Sequence, residues 1–117
     1  MANGVNVTST LLYLDCKIER NPVKFLIDTG SVLTVVPAKY VHSVEPTTKI
    51  LTAANGSPIR TYGITDLKIV IPSLRCCFQW RCYVADVVVP IIGADFLEAN
   101  DLLVDLHEIN DYLQRSG

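Results

Sequence analysis

Apolar residues recur at every second position through much of this chain, in short runs punctuated by proline, glycine and asparagine. That rhythm predicts strands rather than helices. Leu11 to Glu19 reads as a strand, its later half sending Cys16 and Ile18 to one face and Lys17 and Glu19 to the other. Arg20-Asn21-Pro22 turns the chain and Val23 to Ile27 brings it back. Thr34 to Pro37 is a further short strand, stopped by its proline. Lys39 to Val44 fits either a turn of helix or an irregular loop. Ile50 to Ala54 and Ile59 to Tyr62 flank Asn55-Gly56-Ser57-Pro58, a hairpin signal because Asn and Gly both tolerate positive φ. The arms are light and only modestly apolar, so this hairpin is expected to project from the body. Thr65 to Ile71 alternates, with Leu67, Ile69 and Ile71 on one face, and Pro72-Ser73 turns the chain again. Cys76 to Val84 is a long strand carrying Cys76, Phe78, Trp80, Cys82 and Val84 on one side. Val87 to Ile92 is apolar throughout and predicts a fully buried strand.

One stretch is helical, Gly93 to Asn100. Asp95 falls in its first turn, where exposed amides favour a negative charge, and Asn100 is its stop. Leu102 to Leu106 returns as a strand. His107 to Gly117 reads as a short polar helix or a fraying end, a tail or linker after a core spanning about 11–106. The sum is an all-β domain with one short helix, a single unit over residues 1–117.

Composition narrows the classes. At 117 residues, 50% of them apolar, the chain can bury a core without staples. Its longest apolar run falls far short of the roughly 20 residues that span a bilayer, and no basic stretch ahead of an apolar run marks a secretion signal. The expected location is therefore cytoplasmic, with no membrane contact. Ten basic and 12 acidic residues leave a net charge of −2 with no Lys/Arg cluster, which argues against a nucleic-acid surface. Cys16, Cys76, Cys77 and Cys82 lack zinc-ligand spacing, and neither His42 nor His107 completes a set, so no metal or other cofactor is expected. The thiols read as reduced and mostly buried, with a disulfide as the alternative for an extracellular protein. Trp80 reads as core, and Asp66, Asp86, Asp101 and Asp105 as turn or surface residues.

The chemistry concentrates at Asp28-Thr29-Gly30-Ser31. An ionisable carboxyl closes an apolar strand, and two hydroxyls and a bare backbone follow to solvate it. In isolation Asp-Thr-Gly is an ordinary turn at a strand end. The apolar strand leading in, Thr34 following, and Val35-Val36-Pro37 leading out make it more than that. Two carboxyls sharing one proton can activate a water and polarise a peptide carbonyl together. Like charges about 3 Å apart cannot both ionise, so one pKa rises while the other falls and the pair titrates as a unit. The string occurs once, so this chemistry requires two chains, each contributing Asp28. In that arrangement Thr29 would bond backbone across a two-fold axis, Gly30 would admit close approach, and Ser31 would donate to the outer carboxylate oxygen. A partnership of Asp28 with Asp95 inside one chain is disfavoured, because the helix turn already explains Asp95.

These segments resemble the retropepsins, the homodimeric aspartic proteases of retroviruses and LTR retrotransposons. Phe25 to Ser31 is similar to their active-site loop, Thr52 to Ile59 falls where their flap lies, and Pro90 to Leu97 resembles their apolar-apolar-Gly segment with its helix. The wording Ile92-Gly93-Ala94-Asp95-Phe96-Leu97, with Leu103-Val104-Asp105-Leu106 after it, is closer to gypsy-type retrotransposon proteases than to retroviral ones. The resemblance covers roughly Leu11 to Leu106. It implies an acid-protease barrel, a symmetric homodimer, and endopeptidase action on a polyprotein. It also implies a flap formed by Ala53, Ala54, Asn55, Gly56, Ser57 and Pro58, closing over peptide. Val32, Leu33, Val87, Val88, Val89 and Ile91 would line subsites, although strand alternation sends some of these valines into plain core. Many retroviral members pair an acid after the active-site loop with an arginine after the later glycine. Here Val32 and Ala94 hold those positions, so both charges are absent together and neither is stranded. A domesticated cellular protease and a non-catalytic dimerisation or peptide-binding module are the alternative readings.

Overall fold

The computed structural model describes residues 11–53, 55–105 and 113–115. Six strands close a barrel: β1 (Leu12–Ile18), β2 (Asn21–Ile27), β3 (Val35–Pro37), β6 (Thr61–Ile71), β7 (Cys76–Ala85) and β8 (Ile91–Ile92). Their order around the barrel is β1-β2-β8-β3-β7-β6. Two small sheets flank it. One is a hairpin of β4 (Leu51–Thr52) and β5 (Pro58–Ile59), and the other pairs β9 (Leu102–Val104) with β10 (Leu113–Arg115). The helix α1 runs Ala94–Ala99 between β8 and β9.

Alternation shapes β1, where every odd member of the strand is buried and every even one is exposed. Its inward residues Leu14, Cys16 and Ile18 meet Phe25 and Val23 of β2 in antiparallel register, with Leu14 opposite Phe25 and Cys16 opposite Val23. β6 supplies Leu67, Ile69 and Ile71, as its pattern predicts, and β7 supplies Cys82 and Val84. Phe78 and Trp80 stack edge-on against Phe96 of α1, with ring centroids 5.0 and 5.2 Å away. Each fully buried side chain of this size is worth about 1.5–3 kcal/mol of transfer free energy, so the barrel and helix cohere through Phe96.

Several elements differ from their sequence reading. The β1–β2 turn sits one step earlier, at Glu19, which takes a positive φ of 57°. Pro22 lies within β2, opposite Lys17 near the strand's start, where a missing N–H is tolerated. Residues Ala38–Tyr40 settle as a short 3₁₀ turn. Val87 to Ile92 is not one buried strand. Only Ile91–Ile92 pairs, and Val88 is 89% exposed, because the chain must bend between the end of β7 and the reversal into β8. At the C-terminal end, Leu113–Arg115 forms a strand antiparallel to β9, and Leu113 is fully buried in the main core. This part of the segment expected as tail or linker therefore belongs to the fold. Of the predicted Leu102–Leu106 strand, Leu106 lies outside the described residues, as do 107–112 and 116–117. Cys16 and Cys82 are buried, but Cys76 is half-buried and Cys77 exposed, and all four thiols are free.

Candidate active site

Asp28 stands at the first step past β2. Its position is set by strands from opposite ends of the chain. β2 runs parallel to β8, with Leu26 beside Ile91 and Ile27 beside Ile92. The same ladder continues past the strand, where the Asp28 N–H donates to the Ile92 carbonyl at 3.0 Å. The loop then folds on itself. Ser31 N–H donates to the Asp28 carbonyl at 3.0 Å, and Gly30 N–H donates to Asp28 Oδ1 at 3.0 Å. The carboxyl is half-buried and oriented by backbone.

The start of α1 clamps the far side of this loop. Ala94 N–H donates to the Ser31 carbonyl at 2.7 Å and Asp95 N–H to the Val32 carbonyl at 3.1 Å. Helix-start amides, which lack partners within the helix, are thus engaged by the acid loop. Gly93 permits the approach: a Cβ there would lie 2.5 Å from the Leu33 carbonyl oxygen and 2.8 Å from that of Ser31. Both obstacles are backbone, so neither can swing aside.

Beneath the loop lies a network the sequence reading missed. Thr34 is fully buried. Its hydroxyl donates to Asp95 Oδ1 at 2.8 Å and accepts the Gly93 N–H at 3.1 Å. Trp80 Nε1–H donates to Asp95 Oδ2 at 3.1 Å. Asp95 therefore does more than complement a helix terminus, since each of its carboxylate oxygens receives a donor from a different strand or loop. Trp80 packs as core and anchors the loop through its ring nitrogen as well. The signal in the sequence was Thr34 between Leu33 and Val35 and Asp95 between Ala94 and Phe96, each a polar residue in an apolar segment, where a buried polar group needs a partner.

Ser31 departs from expectation. Its hydroxyl donates to the Leu33 carbonyl at 2.8 Å, not to the Asp28 carboxylate. The short reach back to its own loop wins over the carboxyl. Thr29 and Gly30 are exposed.

A cleft of about 550 Å³ opens over Asp28. Its floor is Asp28, Gly30 and Ser31, and its walls include Val32, Leu33 and Val35. The projecting hairpin covers it with Lys49 to Ala53 and Ile59, and Val87 and Ile91 close the other side. Of the expected subsite residues, Val32, Leu33, Val87 and Ile91 line the cleft, whereas Val88 and Val89 do not. Of the expected flap, Ala53 lines it, Asn55, Gly56, Ser57 and Pro58 are exposed beyond it, and Ala54 lies outside the described residues. The hairpin closes with Gly56 N–H donating to the Ala53 carbonyl at 2.9 Å and Ala53 N–H to the Ser57 carbonyl at 2.8 Å. Among the described hairpin residues Gly56 alone takes a positive φ, 87°, while Asn55 Oδ1 accepts the Ser57 N–H at 2.9 Å. Thr52 and Ile59, at the ends of the expected flap segment, also line it, whereas the arm residues Lys49, Ile50 and Leu51 were not anticipated as lining. Among the described residues no cluster of three His, Cys, Asp or Glu could hold a metal, and no helix is long and apolar enough to cross a membrane.

A closed six-stranded barrel, one helix behind an Asp-bearing loop, and a hairpin over the cleft define a retropepsin-like fold. Solved structures with this fold include the EIAV protease in complex with the inhibitor HBY-793, at 21% identity and a TM-score of 0.65 over 79% of this chain and 89% of that one. The retroviral protease-like domain of Ddi1 from Leishmania major aligns at 22% identity and a TM-score of 0.66, over 86% and 85% of the two chains. A retropepsin-like aspartic protease from Rickettsia conorii aligns at 19% identity and 0.59, over 88% and 79%. No protein-family model matches the chain.

Proposed function

We propose that this chain is an aspartic endopeptidase that works as a symmetric homodimer and processes the polyprotein of a retrotransposon or retrovirus-like element, of gypsy type by its sequence wording. The carrying observation is the geometry around Asp28. Three backbone hydrogen bonds fix its main chain and its carboxyl, at the floor of a cleft roofed by a hairpin. The names borne by structures of the same fold, proteases among them, support the same chemistry.

One such carboxyl is half a catalyst. In the dimer, two Asp28 groups share a proton. The ionised one takes a proton from water, and the protonated one donates to the substrate carbonyl. The Thr34–Asp95–Trp80 network holds each loop rigid, so the two carboxyls need little reorganisation to become coplanar. The surfaces flanking the cleft support a partner. Val32 is 74% exposed, Ile50 75% and Val88 89%, in a region where a monomer gains nothing from exposing them. Val32 and Ala94 occupy the two positions where a charged pair is absent, so contacts there are apolar. Substrate lies extended under the β4–β5 hairpin, which closes as a flap, and the protein acts in the cytoplasm or within assembling particles.

Incubation of the precursor polyprotein with wild-type and Asp28→Asn protein tests this. Cleavage by the wild type, blocked by a pepstatin-type inhibitor and lost in Asp28→Asn with dimer retained, is expected. A variant that cleaves as well as the wild type would sink the proposal. The resemblance to the Leishmania major Ddi1 domain favours one second reading, a cellular protease built on the same site. Coding sequence beside this domain separates them, since an adjoining reverse transcriptase marks a mobile element.

A further inference from the structure

The cleft over Asp28 is neutral or apolar apart from two ionisable groups, Asp28 itself and Lys49. We infer that Lys49 reads charge in the substrate, selecting peptides that carry a Glu or Asp a few residues from the cleaved bond. The inference rests on the proteolytic reading and adds to it the chemical class of the peptide.

Three observations converge. First, Lys49 has no carboxylate partner among the described residues, whereas Lys24 pairs with Asp15 at 2.8 Å and Arg81 with Asp66 at 3.0 Å on the outer barrel. Other basic side chains, Lys17 and Lys68 among them, also make no salt bridge among the described residues, but Lys49 is the basic residue that lines the cleft. Second, its backbone is held, because Lys49 N–H donates to Thr47 Oγ1 at 3.1 Å just before Ile50 and Leu51 enter the cleft wall. The backbone that carries this side chain is therefore fixed locally where the arm enters the cleft wall. Third, the charge balance of the assembled site inverts that of the chain. The chain carries −2, but two carboxyls sharing one proton carry a single negative charge while two Lys49 groups carry two positive ones. The dimeric cleft is net cationic, and an anionic side chain is drawn into it.

Lys49 belongs to the arm leading into β4 while Asp28 directly follows β2, and an extended peptide advances about 3.3 Å per residue, which assigns Lys49 to side chains flanking the cut bond. Its contribution is to binding, and it appears in KM more than in kcat. For an exposed ion pair the discrimination expected is about 1.5- to fivefold between Glu and Gln at low salt, shrinking as the Debye length falls.

The test uses a mixed octapeptide library with an apolar central pair and Glu, Gln or Lys at each outer position, read by mass spectrometry. Wild type is expected to enrich Glu at one or two outer positions. Lys49→Met, which keeps the apolar stem, is expected to lose the preference, and Lys49→Glu to turn it toward Lys. The same library peptides are bound to the Asp28→Asn protein with and without Lys49→Glu, so that charge selection is read without cleavage. Cleavage with identical Glu, Gln and Lys profiles in wild type and Lys49→Glu overturns the role of Lys49 and leaves the protease reading standing. Absence of cleavage with a charge swap in binding does the reverse. Neither cleavage nor charge-dependent binding overturns both.

Discussion

At the scale of single residues, the acid loop depends on positions that do not line the cleft. Gly93 is one. Gly93→Ala forces a methyl against two carbonyl oxygens at 2.5 and 2.8 Å, and the backbone shift needed is expected to cost about 1–3 kcal/mol, read as a lower urea midpoint with unchanged slope. Thr34 is another. Thr34→Val preserves shape but removes both the donor to Asp95 and the acceptor for Gly93 N–H. Stranding a buried amide and a half-buried carboxylate oxygen is expected to cost about 2–4 kcal/mol, while Thr34→Ser restores most of it. Asp28 was plain in the sequence, because a carboxyl closing an apolar strand loses hydration that only a dedicated loop can replace. The Thr34–Asp95–Trp80 linkage was hidden, because Asp95 already had a local rationale in its helix turn and Trp80 one in its size. The expected role of Ser31 failed for a related reason. A hydroxyl beside a carboxyl invites pairing, yet its own loop offered the Leu33 carbonyl first.

At the scale of elements, alternation made β1, β6 and β7 legible, since period two in residue type maps directly onto buried and exposed faces. Alternation gave no guide at Val87 to Val89, where a continuous apolar run serves a bend beside the cleft, or in 113–115, where Leu113 is the one apolar residue of a three-residue strand. That single side chain is informative about the C-terminal strand. Leu113→Ala is expected to destabilise by about 2–4 kcal/mol, as for other buried leucines, whereas Gln114→Ala, on the half-buried step of the same strand, is expected to cost under about 1 kcal/mol. Denaturant titrations of the two variants check whether β10 is integral to the barrel or merely lies against it.

At the scale of the molecule, two properties follow from how the core and cleft are assembled. Burial pushes the Cys16 and Cys82 thiols up to about 12 from 9.0, with the charge of Asp15 adding at Cys16 and those of Asp95 and Asp66 at Cys82. Their native pKa exceeds the unfolded one, so the stabilising difference is complete below about pH 9 and is lost as pH climbs toward 12, when only unfolded thiols ionise. Stability is expected to fall by a few kcal/mol across that window. A Cys16→Ala/Cys82→Ala variant is expected to show a shallower slope with pH, although its starting stability is lower. Under neutral conditions alkylating reagents are expected to modify exposed Cys77 first and the two buried thiols only on unfolding. The second property is the dimeric catalyst of the proposed function. Activity per chain is expected to fall on dilution, checked by rate measurements across the dimer's dissociation range, and a constant activity per chain down to the lowest concentrations would argue for a self-sufficient single chain.

The parallel pairing of β2 with β8 ties Asp28 to Ile92, and the clamp on Ser31 and Val32 comes from Ala94 and Asp95. While the protein is being made, the acid therefore leaves the ribosome well before the parts that seat it. At about 5–20 residues per second, the nascent chain spends several seconds with the Asp28 loop unclamped. A translation product halted before Ile91 carries the whole Asp-Thr-Gly-Ser string but lacks the Ile92 carbonyl and the Ala94 and Asp95 amides that seat it, so under the proposed function a precursor is expected to stay uncut until this domain has been read almost to its end.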